Sequence, residues 1–114
     1  MRISLSDTLT GLPLPPTEKW PGGVWDVEAF RHGTMSLVLF TPEGADHQTP
    51  HGQDELYVVV EGSGVLEVAG EPFPFAVGDA LFVPAGREHR FVEFTPGLKV
   101  WAVFWGPEGG ERDG

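Results

Sequence analysis

The chain has no cysteine and no asparagine, only two glutamines, and 7 Lys plus Arg against 17 Asp plus Glu. Without thiols there are no disulfides, no thiolate nucleophile and no Cys-ligated zinc or iron–sulfur centre. The shortage of basic residues leaves a formal net charge of −10. That argues against a protein that tracks nucleic-acid phosphates and against docking on an anionic membrane surface. No run approaches the roughly 20 apolar residues of a membrane span. The segment Met1–Asp7 also lacks the long apolar stretch of a signal peptide. The expectation from these absences is a cytoplasmic protein that binds neither nucleic acid nor membrane.

Turn formers, by contrast, are abundant: 16 Gly and 11 Pro in 114 residues. Such a share approaches the range of disordered chains, but Leu, Ile, Val and Phe reach about 28% of the sequence, above the roughly 20% of a disordered one. The length suits one domain with a real core and no second one. The composition therefore describes a folded chain with many turns.

The first 23 residues read as an irregular arm, because Leu12-Pro13-Leu14-Pro15-Pro16 suits neither a helix interior nor a central strand. Residues 24–105 then alternate β-rich runs with turn signals: 24–30, 34–41, 55–61, 64–69, 71–77, 80–83, 89–94 and 98–105. Gly62-Ser63, Gly78-Asp79, Pro84-Ala85-Gly86 and Thr95-Pro96-Gly97 punctuate them. No window carries a sustained 3.6-residue apolar stripe, so short strands at even spacing predict an all-β antiparallel sandwich or barrel. The last run, Leu98–Trp105, is apolar on both faces. Its second face is expected to lie under the N-terminal arm, under a second copy in a homodimer, or inside the sheet packing. Residues 106–114 read as a flexible acidic tail.

Four His are available for chemistry: His32, His47, His51 and His89. His51 and Glu55 stand four apart, about 13 Å on a straight strand, too far to share an ion. A bend at Gly52 would bring imidazole and carboxylate together. With His89 they would make a two-His, one-carboxylate set that leaves coordination positions open. Taken singly, His51 reads first as a loop residue bonded to a carboxylate and His89 as a strand-end residue bonded to a carbonyl; the pairing with Glu55 and the register of the longer patterns favour the ligand reading. Glu93 shares strand phase with His89 and Phe91, which makes it a candidate pocket acid, general base or orienting partner, or else a solvent-facing carboxylate. Tyr57 and Val59 follow Glu55 in phase and should line the same cavity, with Phe91 and Trp101 or Trp105 as further wall candidates. Arg87 is a surface residue or a contact for an anionic substrate. His32 sits in a turn and takes no role. Gly62-Ser63-Gly64 opens no helix, so it is no phosphate loop, and no Gly-x-Ser-x-Gly elbow is present.

Two longer patterns hold these residues in register. The first runs from Gly44 through Thr49-Pro50-His51 and Glu55, then six residues to Gly62; the second places Gly78, Pro84, Gly86 and His89 in order. Together they resemble the two motifs of a small single-domain cupin. In that family the first motif is Gly, His-x-His, Glu and Gly, and the second is Gly, Pro-x-Gly, His and Asn. Thr49 stands here at the first His and Glu93 at the final Asn. The resemblance implies a double-stranded β-helix, or jelly-roll barrel, holding one divalent ion (iron, manganese, nickel, copper or zinc) on His51, Glu55 and His89. Thr49 leaves the family's usual three-His, one-Glu shell one ligand short. His47, two residues earlier and in phase, would reach the ion only through a second bend. A small-molecule ligand is the implied partner, with Thr49, Tyr57, Phe91 and Trp101 lining its pocket. As an enzyme, such a protein would be a metal-dependent oxygenase or isomerase. As a binding module, it would be a small-ligand binder or sensor with a weak or empty ion site.

Overall fold

The computed structural model describes residues 1–46 and 48–112. His47 and the last two residues of the expected tail lie outside the described residues. Among the described residues, one short helix, α1 (Leu5–Leu9), precedes eight strands: β1 (Asp26–His32), β2 (Met35–Phe40), β3 (Asp54–Glu61), β4 (Gly64–Val68), β5 (Glu71–Phe75), β6 (Ala80–Val83), β7 (His89–Phe94) and β8 (Lys99–Trp105). Every expected run contains a strand. Their ends move by up to two residues, as strand ends depend on pairing as well as on local pattern.

The strands form two antiparallel sheets, ordered β1-β2-β8-β3-β6 and β5-β4-β7. The all-β antiparallel expectation holds, as a sandwich rather than a closed barrel. Part of the reason lies in β5. Pro72 and Pro74 pair with Glu67 and Val65 but have no N–H to give, so β5 presents a free edge that cannot extend the ladder.

The core lies between the sheets. Phe40, Tyr57, Val59, Leu66, Val83, Phe91, Leu98, Val100 and Ala102 are buried there. Register decides which face of each strand supplies them. Val100 and Ala102 pair with Val59 and Tyr57 across β8–β3 and point inward. Trp101 pairs with Leu39 on one side and Val58 on the other and so belongs to the outer face. This corrects the expectation that Trp101 lines the pocket: in β8 the inward phase belongs to its neighbours.

The arm is not wholly irregular. Ser4 caps α1, its hydroxyl accepting the Asp7 N–H at 3.2 Å, and Asp7 complements the helix's positive end. The helix packs against β2, whose outward Leu39 is fully buried. The arm thus lies against β2, the strand beside β8. Farther on, Leu14 and Val24 form a two-way backbone bridge. The edge of the Trp20 ring meets Phe40 at 6.3 Å.

Beyond β8 the chain turns back instead of running free. Gly109 N–H reaches the Gly52 carbonyl at 2.7 Å. Glu111 N–H reaches the Asp54 carboxylate at 2.9 Å. The described part of the tail is therefore fastened to the loop before β3 and to that strand's first residue.

A candidate metal centre

The two loops that lead into the ligand-bearing strands are tied together. Gly86 N–H donates to the His51 carbonyl at 2.8 Å, and Ala85 N–H to Asp54 Oδ1 at 3.0 Å. The backbone N–H bonds from Glu111 and Ala85 hold the Asp54 carboxyl below its ordinary value. Glu55 enters from β3, in the five-stranded sheet; His89 enters from β7, in the other. The centre therefore spans the sandwich.

The expected bend is present at Gly52 and Gln53. Gly52 has no positive φ. A Cβ there would instead collide with the Glu108 carboxylate, 2.0 Å from Oε1. The bend is closed by His51 Nδ1, 2.8 Å from the Gln53 carbonyl. It brings His51 Nε2 to 2.9 Å from Glu55 Oε1, while His89 Nε2 lies 3.3 Å from the same oxygen. One ligand atom from each of the three residues falls within 4.8 Å of the others.

The tautomers follow from the partners. A carbonyl only accepts, so His51 Nδ1 carries a proton toward Gln53, and His89 Nδ1 carries one toward the Arg87 carbonyl at 2.9 Å. In the neutral rings both Nε2 atoms are then lone pairs, aimed at a carboxylate oxygen that also only accepts. His89 Nε2 is buried without a hydrogen-bond partner of good geometry. Three acceptors converging in a buried place require a proton or a cation between them. Imidazole and carboxylate are donors that suit a first-row divalent ion. These residues fit such an ion.

Electrostatics agree. Burial would raise the Glu55 pKa, but hydrogen bonding to His51 and His89, with their charge, outweighs it and holds Glu55 below the ordinary value. Burial would lower His89; the Glu55 contact, the Arg87 carbonyl and the Glu55 charge reverse this and raise it. Tyr57 is driven well above its usual range by burial first and the Glu55 charge second, so its phenol stays protonated.

A cavity of about 170 Å3 opens beside Glu55. Its polar lining is Asp26, Gln48, Glu55 and Tyr57, and its apolar walls are Val38, Phe40, Ala102 and Phe104. Phe104 also meets the His51 ring edge-on at 4.8 Å. Tyr57 lines the cavity as expected. Phe91 lies in the core beneath it, against the rings of Tyr57 at 5.0 Å and Phe40 at 6.0 Å.

Thr49 does not line the cavity: it is exposed, and Lys19 Nζ donates to its hydroxyl at 3.0 Å. The loop turns its neighbour inward instead. Gln48 Nε2 donates to Asp46 Oδ2 at 2.7 Å, which leaves its amide oxygen to accept the Tyr57 hydroxyl at 2.9 Å. Asp46 is itself buried and also accepts the Phe91 N–H at 2.8 Å. Sequence reasoning missed Gln48, Asp46 and Asp26. The one signal was rarity: both glutamines of the chain are wired, Gln53 through its amide to the carbonyls of Thr34 and Gly106, each at 3.0 Å.

Glu93 is corrected as well. Val65 pairs with Glu93 but Leu66 pairs with Phe91, so Val92 is an extra residue in β7. This bulge inverts the alternation, and Glu93 is exposed rather than in phase with His89 and Phe91. The backbone approaches closely there: a Cβ on Gly64 would lie 2.1 Å from the Glu93 carbonyl oxygen. The Arg87 side chain is exposed and borders a different groove, with Phe73 and Phe82. His32 ends β1 and is exposed. Among the described residues, no helix is long and apolar enough to cross a membrane.

With this geometry established, the family comparison is decisive: the cupin domain family matches residues 36–100. This chain belongs to the cupin family. It is 37% identical over 84 residues to the uncharacterized protein SCO3923 of Streptomyces coelicolor, covering 72% of this cupin and 80% of that protein. Among solved structures, protein NMB1881 from Neisseria meningitidis superposes with a TM-score of 0.67 at 20% identity, over 93% of this cupin and all (100%) of that chain. An RmlC-like cupin from Shewanella frigidimarina gives 0.62 at 20% identity, over 70% and 73% of the two chains. At such identities these structures speak for the fold of this cupin.

Proposed function

We propose that this cupin holds one divalent metal ion on His51, Glu55 and His89 and presents its open positions to a small organic ligand in the adjoining cavity. The observation that carries this reading is the convergence of two imidazole lone pairs on one buried carboxylate oxygen. A bound ion would supply a Lewis acid or a redox centre with vacant coordination positions. The protein orients the ring nitrogens through Gln53 and Arg87, keeps Glu55 ionised and surrounds the open side with apolar walls. Closure of the two sheets into a jelly-roll barrel belongs to the same family reading.

Elemental analysis of protein made without a His tag tests the proposal. After incubation with iron, manganese, nickel, copper or zinc, one ion per chain is expected. His51→Ala and Glu55→Ala should each lose it. Losing a residue that only orients a metal ligand weakens such sites by about 10- to 100-fold, and loss of a ligand itself should cost at least as much. Wild-type protein that remains metal-free with all five ions would refute the reading. A second reading, a non-catalytic ligand binder with a weak or empty ion site, is favoured by one observation: the residue in place of the fourth ligand, Thr49, points away and is held by Lys19.

The proposed partner besides the ligand is a second copy. On the outer face of the five-stranded sheet, Phe82 is 53% exposed and Val58 36%, and Phe82 lies 6.2 Å from the Trp105 ring. Phe82→Glu and Trp101→Glu should convert a dimer to a monomer in sedimentation. A dimer unchanged in both would remove this face from the contact.

A further inference from the structure

Asp26 has no part in the ion's ligand set, yet it faces the same cavity. It pairs with Phe40 across β1–β2, and paired residues share a face, so it points inward with Phe40. Among the described residues its carboxylate makes no hydrogen bond and no ion pair. Lys19 acts on it only at longer range, and the Lys19 ammonium is bonded to Thr49. Burial raises the Asp26 pKa more than Lys19 lowers it. A half-buried carboxylate with no protein donor remains open to a donor on a ligand.

The charges define what would satisfy it. Among the described residues, Asp26 and Glu55 are the carboxylates of the cavity lining, and no Lys, Arg or His lines it. A divalent ion with these two carboxylates sums to zero. A dianionic ligand would leave an uncompensated charge against apolar walls, while a zwitterion or a neutral molecule would not. The walls at Val38, Phe40, Ala102 and Phe104 suit a short apolar middle.

We propose that Asp26 is the ligand-selecting residue of the cavity: its carboxylate takes an ammonium, or another N–H or O–H donor, on a small ligand whose opposite end faces the ion. This rests on the metal reading above. The favoured ligand class is a compact bifunctional molecule, with an oxygen donor at one end and a hydrogen-bond donor, preferably cationic, at the other.

The experiment is calorimetric titration of zinc-loaded protein with 3-aminopropanoate and with propanoate, which differ in the amine. Wild type should bind the amine at least about tenfold more tightly, the range of a hydrogen bond to a charged group. Asp26→Asn should keep its zinc and its fold, checked by metal analysis and circular dichroism, and reduce the ratio to about one. Asp26→Glu should retain a preference for the amine. Equal affinities in wild type, or a ratio unchanged in Asp26→Asn, would overturn the proposal. Failure to take up zinc would count against the metal reading alone. The same pair of ligands, titrated by NMR into metal-free protein, would then still decide for or against Asp26.

Discussion

Metal-free protein should lose thermal stability as the pH rises from about 6 to about 8, and a divalent ion added at the upper end should restore it. The sign follows from two shifts. The folded-state pKa of His89 is raised above 6.5. Its contribution is therefore fully present below the unfolded value and is lost as the pH rises through the folded one. The folded-state pKa of Glu55 is lowered below 4.5. Its contribution is present above that value and is lost as the pH falls through the folded one. The metal-free protein is thus most favoured, as far as this cluster is concerned, between about pH 5 and about pH 6.5. Above that window the lone pairs face the carboxylate without a proton between them. An ion replaces the proton, and at 100 times its Kd it adds about 2.7 kcal/mol, or about 10 °C in melting temperature for a domain of this size. Melting curves at both pH values, with chelator and with each ion, measure this. A profile that is flat with chelator and unmoved by any ion would contradict it.

Phe91→Ala should be the most damaging single core truncation. Phe91 is 2% exposed and its ring meets those of Phe40, Tyr57 and Phe75 at 6.0, 5.0 and 5.5 Å. It joins the three-stranded sheet to the five-stranded one under the cavity. Truncating a buried Phe costs about 3–5 kcal/mol, a large part of the roughly 5–15 kcal/mol that a domain has. Denaturant titration should show the midpoint fall with little change in slope. Val92→Ala, one residue along, changes an exposed side chain (44%) at the bulge and should stay within about 1 kcal/mol. A Phe91→Ala protein as stable as wild type would mean that the two sheets do not pack as described.

The two predictions depend on different kinds of information. The cluster behind the first was legible in the chain, because residue type suggested the ligand chemistry and the two cupin-like motifs put the three residues in register. His51, Glu55 and His89 could be named before any contact was known, and the fold brings one ligand atom of each within 4.8 Å of the others. The packing behind the second was legible only in part. Period-two alternation says which residues of a strand share a face. It does not say which face is inside, and a single extra residue inverts the answer. Trp101 is the first case: β8 is apolar on both sides, and its register with β2 and β3 sends Val100 and Ala102 inward. Glu93 is the second: the bulge at Val92 turns it out.

Gln48 and Asp26 show the remaining limit. Each acquires its position from a partner far along the chain, Gln48 through the hydroxyl of Tyr57 and Asp26 through pairing with Phe40. No local pattern encodes such pairings. By itself, then, the sequence determined an antiparallel all-β chain, without thiols, whose only plausible metal ligands are His and carboxylate. Tertiary structure decided which side chains face the cavity, that the sheets meet as a sandwich, and that the arm and the described part of the tail fold back onto it. The physical reason is that composition and spacing set chemistry and local conformation, whereas the inside of a sheet is defined only once another sheet covers it.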